Sequence, residues 1–385
     1  MRNGNFELVL TSPAPDNLGD YKNDLKQICD RFVGWPQHQT SPLRRWSRLV
    51  SGLPVSVAND RSAVGAKCVS NLLAQAPDVV VVDFPHAAVL LPQPIARLAS
   101  ILFTHNVEAE IFERHAAYSR GIRRLIWRAQ ARKMDAYERA VIQHFDTVIA
   151  VSELDASAMR NRYGATDVRC IDTGVDLKSL PFAHPHGRPR PLEDRGTIVF
   201  TGAMDSLANI DGVRFFMEKV WPLITNARPR ARTIVVGRNP PKDLVARTRS
   251  SRLNWTFTGF VKDARPHITD ADVSVIPLRV GSGTRMKAFE AMALGKPVVS
   301  TTVGVEGLGM SPDKHYLVAD TPLAMADAIL RLLDDPDLYE NLAISARALL
   351  EAKYSWTQVA SQFNRICVDT LSQIRRPKIV RPHKT

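Results

Sequence analysis

The feature that most constrains this chain is its alternation of short, continuous β-branched and apolar runs with longer helical stretches. Runs at 6–11, 78–83, 100–104, 147–151 and 168–171 form one series. Runs at 197–201, 232–236, 254–258, 273–277 and 297–300 form a second. None alternates strictly between apolar and polar residues. Strands of this kind are covered on both faces, as in a parallel sheet flanked by helices. Helical patterns between them, for example at 212–225 and 285–294, supply the crossovers that parallel strands require. The predicted class is therefore α/β, with one sheet for each series.

The pattern breaks at 181–195, where Pro185, Pro189 and Pro191 join Gly187 and mixed charge in a linker-like stretch. A further break at Tyr354 and Ser355 precedes a last helical stretch. The expected organisation is a first domain at 1–180, a linker at 181–195, a second domain at 196–355, a helix at 356–372 and a basic tail at 373–385. A length of 385 residues suits two such domains.

Apolar residues make up 45% and charged residues 23%, which excludes a disordered chain. No apolar run reaches the roughly 18 residues of a membrane span, and residues 1–11 have no signal-peptide core. Cys29, Cys68, Cys170 and Cys367 lie far apart without paired spacing. That argues against a zinc site or a disulfide framework and fits a reducing cytoplasm. The net charge of +12 implies attraction to anions. Residues 114–139 are expected to form one long basic helix, with Ile122, Leu125, Ile126 and Trp127 on an apolar side. Residues 42–53 form a second basic and aromatic patch. Each reads either as a solvated face or as a surface for an anionic membrane. No recognition motif accompanies the charge, so nucleic acid is not an expected partner.

The most informative stretch is 280–295, VGSGTRMKAFEAMALG. Gly281 and Gly283 allow a tight loop and close approach to a ligand. Ser282 or Thr284 is a candidate cap for a helix that starts near Arg285 and stops before Gly295. A helix start attracts anions, and Arg285 and Lys287 add two cations there. Lys287, Glu290 and Leu294 follow an i, i+3, i+7 spacing and share a face. A cation at the start and a carboxylate one turn later suit a diphosphate and a ribose. The plainer reading is an exposed Lys287–Glu290 ion pair. Against it, Ala288, Phe289, Ala291, Met292 and Ala293 mark a largely buried helix.

The segment GSGTRMKAFEAMALGKPVVSTTVGVEGL at 281–308 resembles the donor-binding segment of retaining GT-B glycosyltransferases of family 4, the group 1 transferases. So do TGFVKDARPHITDADVSVIPL at 258–278 and TGAMDSLANIDGVRFF at 201–216. The resemblance is strong over 196–365 and weaker over 100–190. It implies a GT-B fold: two Rossmann-like domains facing across a cleft, with a C-terminal helix crossing back. It implies no cofactor and no required metal, the donor being a nucleoside diphosphate sugar and the acceptor a saccharide or a lipid-linked saccharide. Glu290 matches the second glutamate of the family's E-x7-E motif and is expected on the donor ribose. Ser282 stands where the first glutamate would be, so its sugar contact passes to the loop of Gly281, Ser282, Gly283 and Thr284. Arg285 and Lys287 are expected to clamp the diphosphate, because the Arg and Lys common after the first strand of this domain are absent from 202–209. Gly202, Gly259, Phe260 and Val261 resemble donor-contacting loops, and Arg238 may be added to them. Asp270 and Asp272 spell DxD, a metal signature of the other major glycosyltransferase fold. At a helix-to-strand junction they read instead as strand-preceding caps.

In the first half, Phe103-Thr104-His105-Asn106-Val107-Glu108 resembles an HNxE segment of the subfamily, which implies that His105 touches the donor sugar or its phosphate. Val151-Ser152-Glu153 and Gly174-Val175-Asp176 resemble further family turns, the latter read as structural. Relatives begin with a strand, a Gly-rich loop and a helix, whereas residues 3–10 already resemble their second strand. The resemblance thus implies that the first sheet lacks its central strand or closes the gap abnormally, through a start assigned too late or a crippled chain. Two rivals to sugar transfer follow: a sugar-nucleotide epimerase of the same architecture, and a truncated, non-catalytic binder of nucleotide sugar. No G-x-G-x-x-G follows an early strand, which disfavours a dehydrogenase.

Overall fold

A computed structural model describes residues 6–14, 18–36, 48–49, 51–92, 98–183, 195–280 and 286–375. Three aspartates show how its parallel strands are set in register. Each precedes a strand and turns its carboxylate onto the start of the neighbouring one. Asp30 accepts from the Leu8 N–H at 2.8 Å. Asp146 accepts from the N–H and hydroxyl of Ser100 at 3.0 and 2.7 Å. Asp272 accepts from the N–H groups of Gly196 and Thr197, both at 2.8 Å. Donors at the buried ends of strands need such acceptors, because no ladder partner reaches them. Asp272 is therefore engaged in the sheet, in agreement with the capping reading of the DxD triplet.

The chain divides into two compact units, Met1–Ile171 with Ala360–Thr385, and Asp172–Val359. In the first unit, β1 (Val9–Ala14) and β2 (Arg31–Pro36) form a two-stranded parallel sheet. A separate parallel sheet has the order β3 (Val79–Asp83), β4 (Ala99–Phe103), β5 (Thr147–Ala150) and β6 (Val168–Cys170). Among the described residues no strand joins the two sheets. β4 is buried from Ala99 to Leu102, whereas Leu10 in β1 and Val81 in β3 stay exposed. Leu102, Val148, Ile142, Met159 and Tyr163 form the core of the larger sheet. The last helix, Trp356–Arg375, contributes to this unit from Ala360 onward. There Gln362 Nε2 donates to the Cys170 carbonyl at 2.9 Å, and Thr370 Oγ1 lies 2.8 Å from Thr147 Oγ1.

The second unit carries a six-stranded parallel sheet, built from β7 (Thr197–Thr201), β8 (Arg232–Val236), β9 (Trp255–Gly259), β10 (Val273–Ile276), β11 (Val298–Ser300) and β12 (Leu317–Val318). Its order is β12-β11-β10-β7-β8-β9, so the winding reverses between β7 and β10. Both strands are buried along their whole length, which explains their uninterrupted apolar sequence. Phe200, Trp221, Phe289 and Met292 are among the large side chains of this core. Residues 172–180 belong to this unit because the Val175 N–H donates to the Tyr354 carbonyl at 2.8 Å and the Val175 carbonyl accepts from Trp356 N–H at 3.1 Å.

Three expectations need correction. The basic stretch 114–139 is not one helix. It ends one helix, Glu108–Tyr118, and continues in another, Gly121–Ile142, with Gly121 at φ 57° in the break. The helix expected at 212–225 starts earlier, at Leu207, and widens into a π turn at Phe216–Val220 before Trp221–Ala227. Pro222 lacks the N–H that a regular turn would use there. β2 was not anticipated, since Gly34 and Pro36 dilute its apolar signal. Much of the linker (184–194), most of the basic tail (376–385) and most of the 42–53 patch lie outside the described residues.

Replacing Asp272 by alanine leaves two strand-end donors without an acceptor, at a cost of about 2 kcal/mol. Urea unfolding of Asp272→Ala is expected to show that loss. An unchanged midpoint would contradict the register role.

Candidate functional site

The site of the second unit starts where the order of the sheet reverses. Helices that follow strands on the two sides of such a point leave a crevice at the carboxyl ends, the usual ligand position in open α/β sheets. β7 ends at Thr201 and Gly202, and the helix Met286–Ala293 follows β10. Ala288, Phe289, Ala291, Met292 and Ala293 are buried in the core, and Gly295 at φ 77° ends the turn. Lys287 and Glu290 are the partly exposed exceptions, three residues apart on one face.

Lys287 is held in place. Its Nζ donates to Asn209 Oδ1 at 2.8 Å and sits 4.4 Å from the centroid of the Phe200 ring. Asn209 Nδ2 in turn donates to the Ala203 carbonyl at 2.8 Å. This placement needs glycine at 202, where a Cβ would lie 2.8 Å from Asn209 Nδ2 and 2.9 Å from Lys287 Nζ. It also needs glycine at 237, where a Cβ would stand 1.9 Å from the Gly202 carbonyl oxygen. Burial pushes the Glu290 carboxyl above its ordinary value, and the Lys287 charge opposes that shift. A lysine ammonium over an aromatic face and a carboxylate one turn on can meet a diphosphate and a diol respectively.

Further strand ends line up beside Gly202. Arg238 follows β8 and pairs with Asp205 at 3.1 Å, an oxygen that Asn239 Nδ2 also reaches at 3.1 Å. Gly259 ends β9 at φ 69°, Phe260 is 78% exposed, and Val261 packs against Val199, Val236 and Ala271. β8 lies between these residues and β7. The structure thus groups Gly202 with Lys287 and Glu290 and sets Gly259, Phe260 and Val261 two strands away. Gly281, Ser282, Gly283, Thr284 and Arg285 lie outside the described residues.

In the first unit, His105 lies just past the carboxyl end of β4. Its Nε2 is 2.6 Å from Asp83 Oδ1, and its ring stacks on Phe84 at 4.2 Å. The HNxE segment leads into Glu108–Tyr118, whose first turn is held by Glu138. The Glu138 oxygens accept from the Glu108 and Ala109 N–H groups at 2.9 Å each, and Tyr163 Oη donates to one of them at 2.9 Å. Glu138 is fully buried, and that burial lifts its carboxyl to about 7 against these hydrogen bonds. Ser152 caps the helix Glu153–Asn161, accepting from Asp155 N–H at 3.1 Å. Val175 bridges to Ser355, so both family-like turns serve the fold.

Asn209, Asp83 and Glu138 were not singled out from the sequence. Asp83 closes a strand that the sequence marks, and its position alone could have suggested it. Asn209 and Glu138 act on residues 78 and 29–30 positions away, which one sequence does not reveal.

Residues 35–179 match the family model "Glycosyltransferase Family 4", and residues 195–335 match "Glycosyl transferases group 1". Both halves of the chain belong to glycosyltransferase families. Among curated proteins, this group 1 chain is 26% identical over 242 residues to a GDP-mannose-dependent monoacylated alpha-(1-6)-phosphatidylinositol monomannoside mannosyltransferase of Corynebacterium glutamicum, covering 59% of this chain and 63% of that one. It is 20% identical over 195 residues to a 44.6 kDa protein in the cps region of Klebsiella pneumoniae, covering 49% and 50% respectively. The chain thus spans between half and two thirds of the length of these relatives. Two solved structures share the GT-B fold. Sucrose-phosphate synthase of Thermosynechococcus elongatus superposes with a TM-score of 0.63 at 18% identity, over 89% of this chain and 84% of that one. Anabaena HepE in complex with UDP superposes with 0.63 at 15% identity, over 94% and 92%. Among the described residues no group of three or more His, Cys, Asp or Glu is arranged to hold a metal, and no helix is long and apolar enough to cross a membrane.

Glu138 generates a pH prediction. With its carboxyl raised from 4.5 to about 7, the folded state binds the extra proton in that interval. Stability is then favoured at low pH and falls as pH rises toward 7, by at most about 3 kcal/mol from this group. Glu138→Gln lacks that component. The stability difference between the natural chain and the variant, from urea unfolding at pH 5 and pH 8, is expected to shrink at the higher pH. A constant difference would contradict this account.

Proposed function

We propose that this chain moves a sugar from a nucleoside diphosphate donor to a saccharide or lipid-linked acceptor, with retention of configuration. One observation carries the donor half: Lys287 and Glu290 occupy the partly exposed face of an otherwise buried helix, beside the point where strand order reverses. Lys287 binds the diphosphate and stabilises the charge that builds on it as the glycosidic bond breaks. Arg285 is assigned to the same task on the strength of the resemblance. Glu290 accepts from the ribose hydroxyls, and Gly202, with the 259–261 turn, gives the base and phosphates access to backbone. The loop Gly281, Ser282, Gly283 and Thr284 offers N–H groups to the donor. His105 is assigned to the transferred sugar. The membership of both halves in glycosyltransferase families and the UDP-bound neighbour of the same fold support the reading.

The exposed Leu10 and Val81 of the first unit favour a second reading, a chain that binds donor without turnover. Calorimetry with UDP and GDP, followed by assays of nucleotide release with acceptor, separates the two. Lys287→Ala and Glu290→Ala are each expected to weaken nucleotide binding about tenfold or more. Binding that both substitutions leave intact would contradict the site. Binding without turnover under any acceptor would favour the second reading.

A cytoplasmic location at an anionic membrane is part of the proposal. In the helix Gly121–Ile142, Ile122 and Leu125 are 73% and 64% exposed among Arg123, Arg124 and Arg128. Such a face suits acidic lipid. Co-sedimentation with vesicles containing phosphatidylglycerol is expected, and it should fall with an Ile122→Asp, Leu125→Asp double variant. Equal retention of that variant would remove this face from the account.

A further inference from the structure

The carboxyl ends of β3 and β4 carry a small, strained assembly that the donor reading leaves without a task. Asp83 is the last residue of β3 and pairs in register with Phe103, the last of β4. Its Oδ1 lies 2.6 Å from His105 Nε2, a short contact for a charged partner. The imidazole lies against two rings: Phe84 at 4.2 Å and 24°, nearly parallel, and Phe103 at 4.8 Å and 42°. Phe84 holds φ 68° and ψ 139°, a region that glycine alone enters readily. Its N–H donates to the Phe103 carbonyl at 3.0 Å, which pins that conformation. A large aromatic residue in such a backbone state persists only where its surroundings impose it, and strain of this kind gathers at working sites. Here it brings the Phe84 ring onto the face of His105.

These contacts leave the two ring nitrogens with different tasks. A carboxylate accepts and does not donate, so Nε2 faces Asp83 as N–H. In the neutral ring Nδ1 then keeps its lone pair and accepts a hydrogen bond. An acceptor nitrogen suits a hydroxyl and repels a phosphate oxygen. We propose that Asp83 and Phe84 are positioning residues that fix His105 as the Nε2–H tautomer, so that its Nδ1 accepts a hydrogen bond from a hydroxyl of the transferred sugar. This rests on the assignment of His105 to the sugar, and it narrows that assignment from sugar or phosphate to a sugar hydroxyl. No proton is transferred in this role. His105 orients the sugar and does not act as acid or base.

The test has two arms with independent outcomes. In the first, two-bond 1H–15N correlation spectra of the full chain at about pH 8.5 read the His105 tautomer without any ligand. Protonated Nε2 with bare Nδ1 is expected in the natural chain, and a mixture of tautomers in Asp83→Ala. Asp83 has 70% of its side chain exposed, so that variant should fold. A bare Nε2 in the natural chain, or an unchanged tautomer in Asp83→Ala, would overturn the proposal. In the second arm, UDP and GDP are compared with UDP-glucose and GDP-mannose by calorimetry and turnover. Asp83→Ala and Phe84→Gly are expected to leave the affinity for the free nucleotide within about twofold. Turnover or affinity for the matching nucleotide sugar should fall about tenfold. Equal losses for nucleotide and nucleotide sugar would overturn it. If the chain binds none of the four, the sugar-transfer reading fails on its own, while the tautomer still decides whether Asp83 sets the ring.

Discussion

A parallel sheet can return its chain only by crossing over one face, and where the direction of winding changes, two crossovers part above the carboxyl ends. In the second unit that place lies between β7 and β10. The donor site depends on what the sequence places there. Gly202 ends β7 without a side chain, Gly237 lets the next strand end come within contact of it, and Lys287 fills the space this leaves. A cation set into the core boundary over Phe200 would be costly without compensation. Asn209 supplies a direct hydrogen bond, the Phe200 ring supplies its negative face, and the site stays open to an anion.

Buried polar groups elsewhere follow one rule: each is placed where backbone donors would otherwise be orphaned. Asp30, Asp146 and Asp272 close the starts of strands, and Glu138 closes the start of the helix that follows His105. Glu138 is the extreme case. Its position costs enough desolvation to lift its carboxyl to about 7, yet it holds two N–H groups and a tyrosine hydroxyl at once. The turn bearing His105 is therefore fixed from two sides, by Glu138 behind and by Asp83 and Phe84 in front.

Much of this was legible in the sequence where the signal is local. β7 and β8 fall at the expected residues because a strand buried on both faces is an unbroken apolar run. The Lys287 and Glu290 face emerged from a spacing of three within an apolar helix, and Asp272 from its place before a strand. What escaped was non-local or depended on a single backbone state. Gly121 divides the basic stretch through one positive φ, and Pro222 forces a wide turn through one missing donor. Lys287 reaches Asn209 across 78 residues, and no periodicity reports that contact. The strained Phe84 is invisible in sequence, because nothing about phenylalanine suggests a glycine-like conformation.

The central claim is that residues around Gly202 and along Met286–Ala293 grip a nucleoside diphosphate. Amide hydrogen exchange with and without saturating UDP or GDP tests it most directly, since the ligand should slow exchange where it binds. The expected result is added protection at 202–209 and across 286–293, with little change in β1, β2 or the basic helix. Protection confined to other segments, with these two unaltered under a nucleotide that demonstrably binds, would contradict the account.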